Sequence, residues 1–153
     1  MDAATINPFI QGTLYILDTT ASLKARPGVA SLKTDAPSVG DISGVLSITG
    51  DIAGSVSISF TERSILGIVS AMFGEQMTRM DEDITDAVGE ICNMVSGHVT
   101  TKMTEMGKKV RVKLQEVKTG TRHSVVNPGK VLVFPFETTK GNLTIGVSLD
   151  GSC

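Results

Sequence analysis

Apolar positions along this chain switch between two periods, and the switches mark out its elements. Ile6, Phe9, Ile10, Leu14, Leu17 and Leu23 recur at helical spacing, so residues 6–23 predict an amphipathic opening helix, with Pro8 near its start where a missing N–H is harmless. After Pro27 the period shortens. Residues 29–33, 42–49 and 55–60 alternate or nearly alternate as half-buried strands do. Gly50-Asp51 and Ala53-Gly54 supply turn chemistry between the last two, which predicts a hairpin. Residues 62–73 return to the helical period through Ile65, Leu66, Val69, Met72 and Phe73, with Gly74 placed to stop the helix. A longer helix follows from about 81 to 105. It turns Ile84, Ala87, Val88, Ile91, Met94 and Val95 inward, carries Asp81-Glu82-Asp83 at its positive end and has Gly107 as terminator. Then Val110, Val112 and Leu114 alternate with Arg111, Lys113 and Gln115. Residues 130–136 are apolar on both faces, as in a central strand, and Leu143, Ile145, Val147 and Leu149 alternate with Thr144, Gly146 and Ser148 in a half-exposed last strand. The order predicts an α/β fold (an α+β sandwich), its helices packed on a largely antiparallel sheet, in one domain over residues 1–153.

The long helix carries a second pattern. Asp86, Glu90, Asn93 and Gly97 fall on one of its faces, and Thr100 and Thr104 continue the stripe. Asn is a poor helix former whose side chain competes with the backbone, so an Asn in mid-helix asks for a reason outside the helix. Spacing alone leaves two readings open. A polar stripe commonly does no more than solvate one side of an amphipathic helix. With seven Glu and four Asn in 153 residues, a chance Glu-x-x-Asn is expected roughly one time in five, and requiring an acid four residues earlier makes it several times rarer.

Composition narrows the partners. Fourteen Lys and Arg against sixteen Asp and Glu leave no basic excess to meet a phosphate backbone, and one Tyr with five Phe offers little to stack on bases, which excludes nucleic acid. The first twenty residues lack Lys and Arg, and no apolar run reaches the roughly 18 residues of a membrane span, so no membrane partner is expected and the cytoplasm is the expected compartment. Cys92 lies within the helix and Cys153 is the last residue, so neither a disulfide framework nor a zinc site is indicated, and Cys92 reads as a small buried hydrophobe. His98 and His123 stand 25 positions apart, and His98 falls with Ile84, Ile91 and Met94 as a core histidine. Gly40, Gly44, Gly50 and Gly54 read as turn glycines and match no phosphate-binding loop. Lys102, Lys108, Lys109, Arg111 and Lys113 read as the solvated helix end and the outer face of the next strand.

Asp86, three residues, Glu90, two residues, Asn93 resembles the helix of the CheC/CheX/FliY phosphatases of bacterial chemotaxis. The opening helix with Ile6-Asn7-Pro8-Phe9-Ile10, the central hairpin and the terminal strands are similar to CheX-type domains as well, and the single copy of the motif favours that branch. The resemblance implies a CheC-like fold and an aspartyl-phosphate phosphatase whose partner is a phosphorylated CheY-like response regulator. Mg²⁺ would be supplied by that partner, with no cofactor of the chain's own. It gives Asn93 the role of positioning the attacking water and Glu90 that of pairing with a lysine of the regulator. Asp86 is left as a contact or positioning residue, Gly97 as room for close approach. A homodimer is implied too. In one respect the chain departs from the pattern, which has a proline a little over twenty residues after the Asn, where this chain has Glu116-Val117-Lys118 and no proline before Pro128. The rival reading is a non-catalytic, regulator-binding or flagellar-switch-like structural module.

Overall fold

A computed structural model describes residues 3–34, 38–125 and 130–149. Pro128 and Cys153 lie outside them. The elements run α1 (Ala3–Ala21), β1 (Arg26–Pro27), β2 (Ser31–Thr34), β3 (Ser38–Gly50), β4 (Gly54–Phe60), α2 (Glu62–Phe73), α3 (Glu82–Glu105), β5 (Val110–Val125), β6 (Lys130–Thr138) and β7 (Gly141–Leu149). All strand pairs are antiparallel, in the order β1-β6-β7-β4-β3-β5, with β2 also on β6. The three helices cover one face of this seven-stranded sheet. Their apolar stripes, Phe9 and Leu17 of α1, Ile65 and Ile68 of α2, and Ile84, Val88, Ile91 and Val95 of α3, share one core with Ile42, Leu46, Val56, Ile58 and Ile145 of the strands. No described helix is long and apolar enough to cross a membrane.

The predicted hairpin is β3–β4, in register from Ile42↔Phe60 to Ile48↔Gly54. Gly50 at its turn has φ 109°, a conformation open to glycine and strained for other residues. The opening helix begins at Ala3, earlier than predicted, because Ala3 and Ala4 are strong helix formers. Pro8 consequently sits inside the helix and leaves the carbonyl four residues before it without a helical donor.

Three expectations are corrected. The alternation after Val110 predicts a short strand, yet β5 runs to Val125. Its register passes from Val45↔Glu116 to Leu46↔Leu114, skipping Gln115. A bulge of this kind reverses the phase of the side chains, so Val110, Val112 and Leu114 share the helix-facing side with Val117 and Thr119, and the simple alternation ends. The last strand is not half-exposed. β7 is paired on both sides, by β4 and β6, and its small residues Thr144, Gly146 and Ser148 lie beside Ser59, Ser57 and Ser55. Ser57, Ser59 and Ser148 are at most 3% exposed: small polar residues here mark a covered sheet face rather than a solvated one. Gly44, finally, is no turn residue. It lies within β3 directly under Cys92, whose Sγ would stand 2.2 Å from any Cβ added there, so only glycine lets α3 come this close to the sheet.

Candidate active site

The long helix is held firmly at both ends. Asp81 caps α3, its Oδ1 accepting from the backbone N–H of Asp83 at 3.1 Å and of Ile84 at 3.4 Å. Glu82 and Asp83 in the first turn suit the positive end of the dipole. At the far end the N–H groups of Gly107 and Lys108 return to the carbonyls of Thr104 and Met103, and Gly107 supplies the left-handed turn, φ 78°. Beyond it Asp51 of the hairpin loop accepts from the Lys109 N–H at 2.7 Å and donates its own N–H to the Lys109 carbonyl at 2.8 Å.

Around its circumference α3 divides sharply. Ile84, Val88, Ile91, Cys92, Val95, Val99 and Met103 are fully buried, while Asp86, Glu90, Asn93 and Gly97 are exposed along one ridge. Thr104 continues the ridge in the open and Thr100 is half-buried beside it. The hydroxyls of Ser96, Thr100, Thr101 and Thr104 turn back onto carbonyls four residues earlier, at 2.8–3.0 Å. Asn93 does nothing of the kind: among the described residues its amide makes no hydrogen bond, and Glu90 forms no ion pair. A Cβ placed on Gly97 would meet nothing within 4 Å. An exposed glycine in mid-helix costs up to about 1 kcal/mol relative to alanine, and no neighbour among the described residues needs it.

The flanks of the ridge differ. On the β5 side Leu114 lies 3.7 Å from a Cβ built on Gly89, and where the family pattern has proline the strand continues unbroken, Val117 pairing with Gly44 and Glu116 meeting Lys118 at 3.8 Å. On the α1 side His98 is half-buried rather than sealed in the core. Its ring stacks on Tyr15 with centroids 4.9 Å apart and an interplanar angle of 26°, because α1 lies alongside α3 and Gly12 admits the imidazole edge. Cys92 is buried as expected, and desolvation pushes its thiol from 9.0 up to about 12. The predicted basic group is spread out: Lys102 faces Glu105 at 3.7 Å, and Arg111 and Lys113 are exposed on β5. No three His, Cys, Asp or Glu side chains converge as cation ligands do among the described residues.

One feature beside the ridge escaped the sequence pattern. Met72, Phe73, Asp83, Asp86, Ala87 and Glu90 line a notch of about 230 Å³ between the end of α2 and the first half of α3. Phe73, expected on the inward stripe of α2, is 53% exposed. It is the last helical residue before Gly74, whose left-handed φ of 71° ends α2; the Phe-Gly pair was the available signal.

A three-helix layer on a seven-stranded antiparallel sheet is the fold of solved CheC-like proteins. A family model described as chemotaxis phosphatase CheX matches residues 42–137, and the chain belongs to that family. It is 29% identical, over 136 residues and 88% of each chain, to the CheY-P phosphatase CheX of Thermotoga maritima. The CheC-like superfamily protein from Shewanella sp. PV-4 superposes with a TM-score of 0.91 at 34% identity, covering 99% of this chain and 100% of that one. The CheX–CheY–BeF₃–Mg²⁺ complex from Borrelia burgdorferi shares the fold, with a TM-score of 0.74 at 16% identity over 94% of this chain and 96% of that one.

Proposed function

We propose that this chain hydrolyses the phosphoaspartate of a CheY-type response regulator, with Asn93 positioning the attacking water. The observation that carries this is the amide itself: exposed in mid-helix, without a hydrogen bond among the described residues, and one turn from Glu90. In-line displacement at phosphorus asks little covalent chemistry of the enzyme. The Asn93 carbonyl oxygen accepts a hydrogen bond from the water and its NH₂ donates to a phosphoryl oxygen, while its neutrality avoids repelling the phosphate. Water's oxygen bonds to phosphorus, the bond to the aspartyl oxygen breaks, and free carboxylate and inorganic phosphate leave. Glu90 pairs with a lysine of the regulator and fixes the approach; Gly97 leaves the ridge bare for contact, and Asp86 contributes to docking.

Mg²⁺ comes with the regulator in this reading, as support from the Borrelia relative, whose complex carries CheY, BeF₃ and Mg²⁺ together. The reaction belongs in the cytoplasm, where such a regulator works. A homodimer fits β5, sixteen residues long and paired on one side only among the described residues, since a long open strand edge favours a second chain. Light scattering should give twice the chain mass, and a steady value near 16.1 kDa would exclude the dimer.

The deciding experiment measures hydrolysis and binding separately on a phosphorylated CheY-type receiver with Mg²⁺. Asn93→Ala should slow hydrolysis by on the order of 10² or more, as loss of a positioned catalytic group does, with folding and binding intact. Glu90→Lys should weaken binding by replacing attraction with repulsion. Wild-type hydrolysis by Asn93→Ala would sink the water-positioning role of Asn93, and a wild-type chain that binds the receiver without speeding its hydrolysis would leave a regulator-binding module without chemistry.

A further inference from the structure

We propose that the notch between α2 and α3 is a second docking point, taking a lysine or arginine side chain that the receiver presents outside its phosphorylation site. The choice of partner rests on the phosphatase reading; the recognition chemistry rests on the notch. Its lining is half apolar and half anionic. Met72 and the half-exposed ring of Phe73 offer a surface that water solvates poorly, and Asp83, Asp86 and Glu90 bring three carboxylates to its rim. Among the described residues no Lys, Arg or His lies within salt-bridge distance of any of the three. A long basic side chain matches both halves, because its methylene stem or guanidinium plane packs on the aromatic face while its head reaches the carboxylates. At about 230 Å³ the space suits one side chain; drug-sized ligands occupy roughly 300–1,000 Å³.

Continuity with the ridge identifies the occupant as part of the same docked protein. Glu90 lines the notch and also stands one turn from Asn93. At about 1.5 Å of rise per residue, Asp83 lies ~15 Å along the axis from Asn93. A typical interface covers about 800 Å² on each partner, a patch of roughly 16 Å radius. A receiver seated over Glu90 and Asn93 therefore extends across Phe73 and Asp83. A basic residue at that place on its surface gains contacts that a neutral or acidic one lacks, which makes the notch a determinant of which receivers are accepted.

The test measures binding without hydrolysis, by titrating a CheY-type receiver loaded with BeF₃⁻ and Mg²⁺ into the full chain. Phe73→Ser and Asp83→Lys should each raise Kd tenfold or more, and Asp83→Lys should flatten the salt dependence seen in the wild type. Glu137→Lys makes the same charge change on β6, where Glu137 is exposed beside Arg26 at the other end of the strand order from β5 and outside the notch, and should shift Kd less than twofold. Binding of Asp83→Lys within twofold of wild type overturns the proposal, as does an equal loss in Glu137→Lys, which would reduce the effect to overall charge. Asp83 is exposed at the solvent side of the first turn, so its variant keeps the test valid even if Phe73→Ser folds poorly. Failure of the water-positioning role appears in the hydrolysis rate of Asn93→Ala and leaves these binding measurements standing.

Discussion

Two glycines on opposite sides of the same helix interface show how differently the molecule treats its inside and its outside. Under α3, Gly44 is dictated by packing, since any Cβ there would run into the Cys92 sulfur. On top of α3, Gly97 faces open space, and no contact among the described residues accounts for it. The first is a requirement of the core; the second weakens the helix with no packing gained in return among the described residues. The same division separates Cys92, sealed and inert, from Asn93, its neighbour in sequence, exposed and unbonded among the described residues.

The largest expected effect that could break this contrast is at Gly44. Gly44→Ala should destabilise the fold by about 1–3 kcal/mol, as overpacking of a tight core does, and Cys92→Ala in the same chain should recover part of the loss by removing the sulfur. Denaturant melts of the single and double variants measure it, and a neutral Gly44→Ala would mean that α3 stands off the sheet more freely than its contacts imply. Next comes the Cys92 thiol, held neutral up to about 12 against an ordinary 9.0 by desolvation. Since the unfolded chain ionises first, the folded state keeps this contribution below pH 9 and has lost about 1 kcal/mol of it by pH 10, the loss deepening as pH climbs further. Chevron or melt data on Cys92→Ala should lack that slope. In a Cys153→Ser background the folded protein should also resist thiol reagents at pH 8, and labelling at the rate of a free thiol would sink the assignment. The smallest effect has the opposite sign. Gly97→Ala should stabilise the helix by about 0.4–1 kcal/mol while slowing turnover of low concentrations of phosphorylated receiver, and a variant gaining both stability and activity would remove the reason for a bare ridge.

Much of this contrast is legible in the amino-acid order, for reasons of period. A long helix repeats its faces so regularly that its sequence alone sets Glu90 and Asn93 apart from Ile91 and Val95, and the β3–β4 hairpin follows from two alternating runs and a Gly-Asp turn. Gln115 defeats the same reasoning: one residue bulged out of register reverses the pattern and hides the second half of β5. β7 misleads for another reason, because Ser and Gly read as solvent-facing when small neighbours on β4 allow the face to be covered. Phe73 and His98 fall inward on a helical wheel, whereas their exposure is set by where α2 stops and how α1 lies along α3. The notch needs two helices side by side, a juxtaposition no single stretch of sequence encodes. The roles proposed for Glu90 and Asn93 rest on the family pattern, and the structure adds their exposure.

The fastenings at the two ends of α3 have a kinetic consequence. With Asp81 closing one end and Asp51 tying Lys109 at the other, a ridge that docks a receiver as proposed arrives at the encounter already in its final shape. A partner meeting it has no backbone to order first, so little conformational entropy is lost on contact. Association then depends on orientation and charge, and the complex can form, turn over and part again without the helix rearranging, which suits a device that must meet many copies of a short-lived signal in succession.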